Sequence, residues 1–337
     1  MTGAARGYRV PAPEPEAAVA WPQAFGTRFL VFVDTEEEFD WRLPFSRDRH
    51  GVTHVTALPT VQARFAKRGV PLTWLADYPI VASDEGAAVL RELVADGVSE
   101  VGTQLHPWVN PPFDEELSGP NSFVGNLPAA LEEAKLARLT EAIEAAVGRR
   151  PRIYRAGRYG IGPHTAGILA RLGYRADCSV RACYDYTSEA GPDFAAVGNP
   201  AYRFGPENSL IELPFSTVFT GMLRGQGEPL YRTLGKLPRG RGVAARLGLL
   251  SRVSLTPEDM PLADAEEAVR VALGEGERLL SFAFHSPSVV PGHTPYVRTE
   301  RDLVDFHRWW DRILALLDRL GAKPASLGEV LAAAEDA

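Results

Sequence analysis

The chain has 337 residues, 45% of them hydrophobic, and 36 Lys and Arg against 43 Asp and Glu give a formal charge of -7. An acidic chain gives no electrostatic case for nucleic acid, which calls for a basic face, and no apolar run of about 18 residues is present to span a membrane. Two cysteines, Cys178 and Cys183, make no disulfide framework and suit a reducing compartment, and the amino terminus lacks the charged-then-apolar pattern of a signal peptide, so the expected location is the cytoplasm.

The Pro-rich start, Pro11-Ala-Pro13-Glu-Pro15, reads as an extended arm over residues 1–27. Phe29 to Val33 is a continuous apolar run, the pattern of a buried parallel strand, and it stops at Asp34-Thr35-Glu36-Glu37-Glu38. A helix over 58–67 ends at Gly69, which suits a left-handed stop. A second strand over 71–75 leads to Asp77, and Asp84 caps a helix running to Gly97. A third strand over 99–105 ends at His106-Pro107-Trp108, and an amphipathic helix spans 128–147. Ile153-Tyr154-Arg155 is a short strand, Pro163 starts another helix, and 174–177 and 210–214 are again strand-like. Residues 221–260, rich in Gly, Arg and Leu, read as an insertion with a helix that covers the site. A helix over 262–276 leads into an apolar strand, 279–284, that stops at His285. A helix over 301–320 and a segment over 325–334 that packs the end close the pattern.

Alternating strands and helices imply parallel strands joined by right-handed crossovers. The count fits one α/β domain over 28–337, an incomplete (β/α) barrel, better than two domains. The polar residues of interest fall at strand ends: Asp34 and Glu36, Asp77, His106, Arg155 and Arg158, Asp177, His285. In a barrel these ends meet on one face, so residues distant in sequence share a cleft. The Asp34–Glu38 cluster alone fits either a solvated acidic loop or a metal site with a general base beside it. Convergence of the other strand ends favours the site.

Four segments then resemble the polysaccharide deacetylases of carbohydrate esterase family 4. Val33-Asp34-Thr35-Glu36 resembles the first motif, with a base and a metal-binding acid. Glu100 to Trp108 resembles the second, which normally supplies metal-binding histidines. Tyr154-Arg155-Ala156-Gly157-Arg158-Tyr159-Gly160 resembles the third, whose arginine orients the base, and Phe284-His285-Ser286-Pro287 the last, whose histidine is the catalytic acid. Ile211-Glu212-Leu213-Pro214 resembles a late strand of these enzymes. The resemblance covers roughly residues 28 to 330. It implies a distorted (β/α) barrel with about seven parallel strands, and hydrolysis of an N-acyl group, usually N-acetyl. The catalytic residues it implies are Asp34, Arg155 and His285.

One departure bears on the metal. The family's two second-motif histidines fall at positions held here by Gln104 and Trp108, leaving His106. The expected ligands are therefore Glu36 and His106, with Asp77 and Asn110 completing the shell, and Glu37 and Glu38 solvent-facing or structural. The metal is a divalent ion, zinc first, with Mn, Co or Ni admitted by the oxygen-rich set. Arg158, Tyr159, Trp108 and Glu212 are the candidate substrate contacts, Arg158 for an anionic group. The expected function is a metal-dependent hydrolase of non-peptide C–N bonds, acting on an acylated amino sugar or related small amide. The alternative is a metal-free, catalytically degenerate protein that binds carbohydrate. A glycoside hydrolase ranks last, because it needs two carboxyls ~5–9.5 Å apart across a sugar and only one acid cluster is evident. The expected partner is a small-molecule or carbohydrate substrate, with no nucleic acid and no membrane; nothing in the sequence fixes the oligomeric state.

Overall fold

The structure is a computed structural model describing residues 7–336; residues 1–6 of the expected arm and residue 337 lie outside the described residues. In chain order the strands are β1 (Arg28–Thr35), β2 (Thr73–Ala76), β3 (Glu100–Leu105), β4 (Ile153–Ala156), β5 (Ala176–Asp177), β6 (Tyr202–Phe204), β7 (Leu210–Glu212), β8 (Thr217–Thr220), β9 (Ser251–Ser254), β10 (Leu279–His285) and β11 (Lys323–Pro324). The main sheet runs β10-β1-β2-β3-β4-β5-β7-β6, with β11 joined to the start of β1. From β10 to β7 every pairing is parallel, giving seven strands in a curled, distorted (β/α) half-barrel, and β6 turns back antiparallel to β7.

Side-chain alternation explains both the core and the site. On β1, Phe29, Val31 and Val33 face the helices, where they join Trp74, Phe282, Phe284 and Trp310. Leu30 and Phe32 have the opposite parity and join Leu75, Ile153, Ala176, Ile211 and Ala283 in a second cluster. Fully burying each such side chain contributes roughly 1.5–3 kcal/mol. The Leu30–Phe32 parity continues to Asp34, Ile153 to Arg155, and Ala283 to His285, so one alternation fills the interior and then sets three polar groups at its carboxyl end. The edge of β10 is finished by irregular backbone: Ser281 N–H donates to Ser216 Oγ (2.9 Å) and Ala283 N–H to the Leu255 carbonyl (3.2 Å).

Most expected elements differ from the observed ones only at their ends. Ser83, rather than Asp84, caps the helix Asp84–Leu93, its hydroxyl accepting from Gly86 N–H. Residues 221–260 hold two short helices, Gly227–Gly235 and Gly240–Arg246, between the paired strands β8 and β9. β6 and the β8–β9 hairpin were not expected, being short runs without an alternating pattern. Among the described residues no helix is long and apolar enough to cross a membrane.

Candidate active site

A cavity of about 450 Å³ opens at the carboxyl ends of the strands, walled by Asp34, Glu36, Gln104, His106, Arg155 and His285 together with aromatic side chains. Trp41, Phe45, Tyr159, Tyr186 and Tyr296 are among the residues of the apolar wall. No residue of 221–260 lines it, so the insertion does not roof the cleft as expected. The roof comes from the loop at 39–45 and from Arg181, Tyr186 and Glu189.

Asp34 stands between two cations. Arg155 Nε lies 3.2 Å from Asp34 Oδ1 as a buried ion pair, without the alignment of a hydrogen bond. His285 Nε2 lies 3.9 Å from Asp34 Oδ2. The other ring nitrogen of His285 is 2.6 Å from Glu258 Oε2, and Glu258 also accepts the Ser288 hydroxyl at 2.5 Å. Burial works against charge on His285, but the carboxylates, Glu258 above all, outweigh it and raise its pKa to about 10. His285 is therefore a protonated imidazolium near neutral pH, with 19% of its side chain exposed for a substrate to reach. Two further buried acids feel the charge of Arg155. Burial pushes Asp177 up to about 6 and Glu212 up as well, while the guanidinium opposes both shifts.

His106 is fixed from behind. Its Nδ1 is 2.8 Å from Glu37 Oε2, and the Trp108 indole stacks on its ring (4.3 Å, 20°) while donating to Glu37 Oε1 at 2.7 Å. Gly157 lets the ring sit this close, since a Cβ there would fall 2.2 Å from His106 Cδ2. A carboxylate accepting from Nδ1–H leaves a lone pair on Nε2, and Nε2 faces Glu36 Oε2 at 3.5 Å and the Gln104 amide nitrogen at 3.2 Å. Glu36 Oε1 and Gln104 Oε1 are buried with no hydrogen-bond partner. Desolvation pushes Glu36 up to about 8.

These atoms decide whether the site fits the divalent ion that its resemblance implies. Glu37, Asp77 and His106 form a buried cluster whose ligand atoms lie within 4.8 Å of one another. Its atoms are already engaged, however: Nδ1 with Glu37, and the two Asp77 oxygens with Glu37 N–H (2.7 Å) and Ile80 N–H (3.1 Å). On the Nε2 side, the imidazole lone pair faces the Glu36 carboxylate and the Gln104 amide, each with one buried oxygen that has no hydrogen-bond partner among the described residues. That side fits a cation, with Glu36, His106 and Gln104 as donors once the Gln104 amide turns its oxygen inward.

Several expected site residues are placed elsewhere. Asp77 caps the helix Tyr78–Ala82 behind His106. The Asn110 amide donates to the carbonyls of Pro111 and Lys135, away from the cavity, because the buried Lys135 ammonium gathers the 107–112 loop around itself. Glu212 accepts from Val180 N–H (3.0 Å) and does not reach the cavity. Its neighbour Ile211 takes the interior parity, which leaves Glu212 on the other face. Arg158 and Tyr159 do line the cavity, presented by consecutive left-handed backbone conformations (φ 55° and 60°), a costly arrangement for side-chain-bearing residues. Arg158 is spent on Glu189 and Ser122, so it is not free for an anionic group. Of the two places expected for Glu37, solvent-facing or structural, the structure has the second: it is buried against His106 and Trp108. Glu258 and Arg181 were missed, since each lies on a loop with no periodic pattern to mark it.

No protein-family model and no curated protein sequence matches the chain. Solved structures do. A Mycobacterium smegmatis protein assigned by name to the polysaccharide deacetylases superposes with a TM-score of 0.56 at 16% identity, covering 96% of this chain and 95% of its own. The chain has the polysaccharide-deacetylase fold. PuuE allantoinase shares this deacetylase fold with the chain, at a TM-score of 0.52 and 13% identity over 96% of this chain and 97% of that one.

Proposed function

We propose that the protein hydrolyses the C–N bond of an N-acyl group, acetyl first, on an amino sugar or a related small amide. One observation carries this reading: a carboxylate and an imidazolium, Asp34 and His285, face each other 3.9 Å apart at the wall of an aromatic cavity. Asp34 takes a proton from the water that attacks the acyl carbon. Arg155 holds that carboxylate in place. His285 gives its proton to the amide nitrogen as the C–N bond breaks, so acetate and a free amine leave. Glu258 keeps His285 charged for that step. Glu36, His106 and Gln104 would hold a divalent ion, zinc first and Mn, Co or Ni as alternatives. When bound it supplies a Lewis acid that acidifies water and polarises the acyl oxygen. The aromatic wall suits the faces of a sugar ring. The neighbours' names, a polysaccharide deacetylase and an allantoinase, support the choice of reaction class. The cytoplasm is the proposed location, on the unpaired Cys178 and Cys183; recovery of the protein outside the cell would overturn it.

A second reading, a metal-free carbohydrate-binding protein, has one observation in its favour. The Gln104 amide nitrogen donates to Glu36 Oε2 (3.0 Å) and faces His106 Nε2, satisfying the atoms a cation would use. Acetate release from N-acetylglucosamine, with metal content measured before and after chelation, separates the two. Stoichiometric metal and turnover support hydrolysis. Sugar binding with neither supports the second reading.

A further inference from the structure

Arg181 carries a charge that no carboxylate answers. Arg181 lines the cavity, yet among the described residues its hydrogen bonds go only to neutral hydroxyls: Nε and Nη2 donate to Ser254 Oγ (3.2 and 2.8 Å) and Nη1 to the Tyr186 hydroxyl (3.2 Å). Among the described residues, no carboxylate oxygen lies within 4.0 Å of Arg181 or of its neighbour Arg252. The two guanidiniums flank the ring of Tyr184, 3.9 and 3.4 Å from its centroid. The other permanent cations of the cavity wall are matched, Arg155 by Asp34 and Arg158 by Glu189. Of five guanidinium N–H donors, two on Arg181 have no partner among the described residues.

Its position relates to the chemistry. Arg181 Cζ lies 5.5 Å from the centroid of Tyr159, and Arg155 Cζ lies 5.8 Å from the same ring. Arg155 in turn touches Asp34. The unmatched charge therefore shares the Tyr159 ring with the arginine that holds Asp34, in the same cavity. Holding a cation against apolar walls without a counter-charge costs stability, and the cost is recovered when an anion arrives with the ligand. The chain is acidic overall, so its general field repels anions; selection of an anionic ligand has to come from a local fork of this kind.

We propose that the substrate carries a carboxylate or phosphate group besides its N-acyl group, and that Arg181 binds it. The acyl half rests on the hydrolase reading above; the anion half does not. Arg181 is thus a specificity-determining residue, in place of Arg158. A purely structural role, bracing Tyr184 and Tyr159, is the competing explanation.

The experiment compares N-acetylglucosamine, N-acetylglucosamine 6-phosphate and N-acetylmuramic acid on the metal-replete protein, in the wild type, Arg181→Gln and Arg181→Lys. In the wild type, kcat/KM for at least one anionic compound should exceed that for the neutral sugar by about tenfold or more. Arg181→Gln should lower that ratio about 10- to 100-fold, chiefly through KM, and Arg181→Lys should restore part of it, since a point charge replaces the planar fork. The phosphate and carboxylate arms show which anion is preferred. Calorimetric binding of the same three compounds is read in parallel, with melting temperatures to confirm folding. Tighter binding of an anionic sugar that Arg181→Gln abolishes, with no turnover of any compound, keeps the anion site and sinks the hydrolase reading. Equal affinity for neutral and anionic compounds in the wild type overturns the anion site, as does a loss in both variants that is equal across all three.

Discussion

Asp34 and His285 are register partners on the neighbouring parallel strands β1 and β10, and their side chains come within 3.9 Å. Parallel pairing brings them level at the carboxyl end, and shared parity turns both inward. Each is backed by a buried group of opposite charge, Arg155 behind the carboxylate and Glu258 behind the imidazole. A carboxylate and an imidazolium on adjacent strands, each beside a group of opposite charge, suit the acid–base chemistry proposed above.

The charge on His285 gives a pH prediction. Its pKa is raised to about 10, with Glu258 the largest favourable influence against the opposing effect of burial. The alkaline limb of kcat in the wild type should therefore fall near pH 10. Glu258→Gln should bring it down toward the ordinary histidine range near ~6.5. Because the folded pKa lies above the unfolded one, the stability from this pair is complete below the unfolded pKa and is lost as pH rises through about 10. Wild type should lose stability over that window relative to Glu258→Gln. Identical alkaline limbs in the two proteins would show that His285 is not the acid.

Glu37 gives a metal prediction. It holds both His106 Nδ1 and the Trp108 indole, so Glu37→Gln weakens the imidazole's orientation and basicity. Zinc affinity, measured by competition with a chromogenic chelator, should fall about 10- to 100-fold. His106→Ala should abolish stoichiometric binding. Full zinc occupancy in His106→Ala would place the ion elsewhere.

Arg155 gives a stability prediction. Removing it leaves the Asp34 carboxylate buried without its ion-pair partner. Arg155→Met should lower unfolding free energy by about 3–5 kcal/mol. In urea the midpoint should drop with the slope unchanged. A loss under ~1 kcal/mol, the scale of an exposed pair, would mean that the guanidinium is not compensating the buried Asp34.

The sequence showed where the site is better than how it is held together. Asp34, Glu36, His106, Arg155 and His285 were legible because each ends or follows an apolar strand, and the structure brings all five to one cavity. Asp77 and Asn110 also follow strands, but a strand end fixes a position and not what a side chain bonds to. Asp77 went to a helix cap and Asn110 to the loop around Lys135. Glu212 alternates with Ile211, and its parity argued against it. Glu258 and Arg181 act through the charge environment, which folding creates from residues far apart in the chain. A line of sequence holds no local mark of that.

The central claim is that Asp34 is the base of an N-acyl hydrolase, and acetate release by the metal-loaded wild type and Asp34→Asn proteins tests it most directly. The expected result is turnover of an N-acetylated amino sugar by the wild type and a fall in kcat of about 100- to 10,000-fold in the variant, with zinc content and melting temperature retained. Equal turnover in the two proteins would contradict the claim, as would a wild type that binds the sugar and metal but releases no acetate.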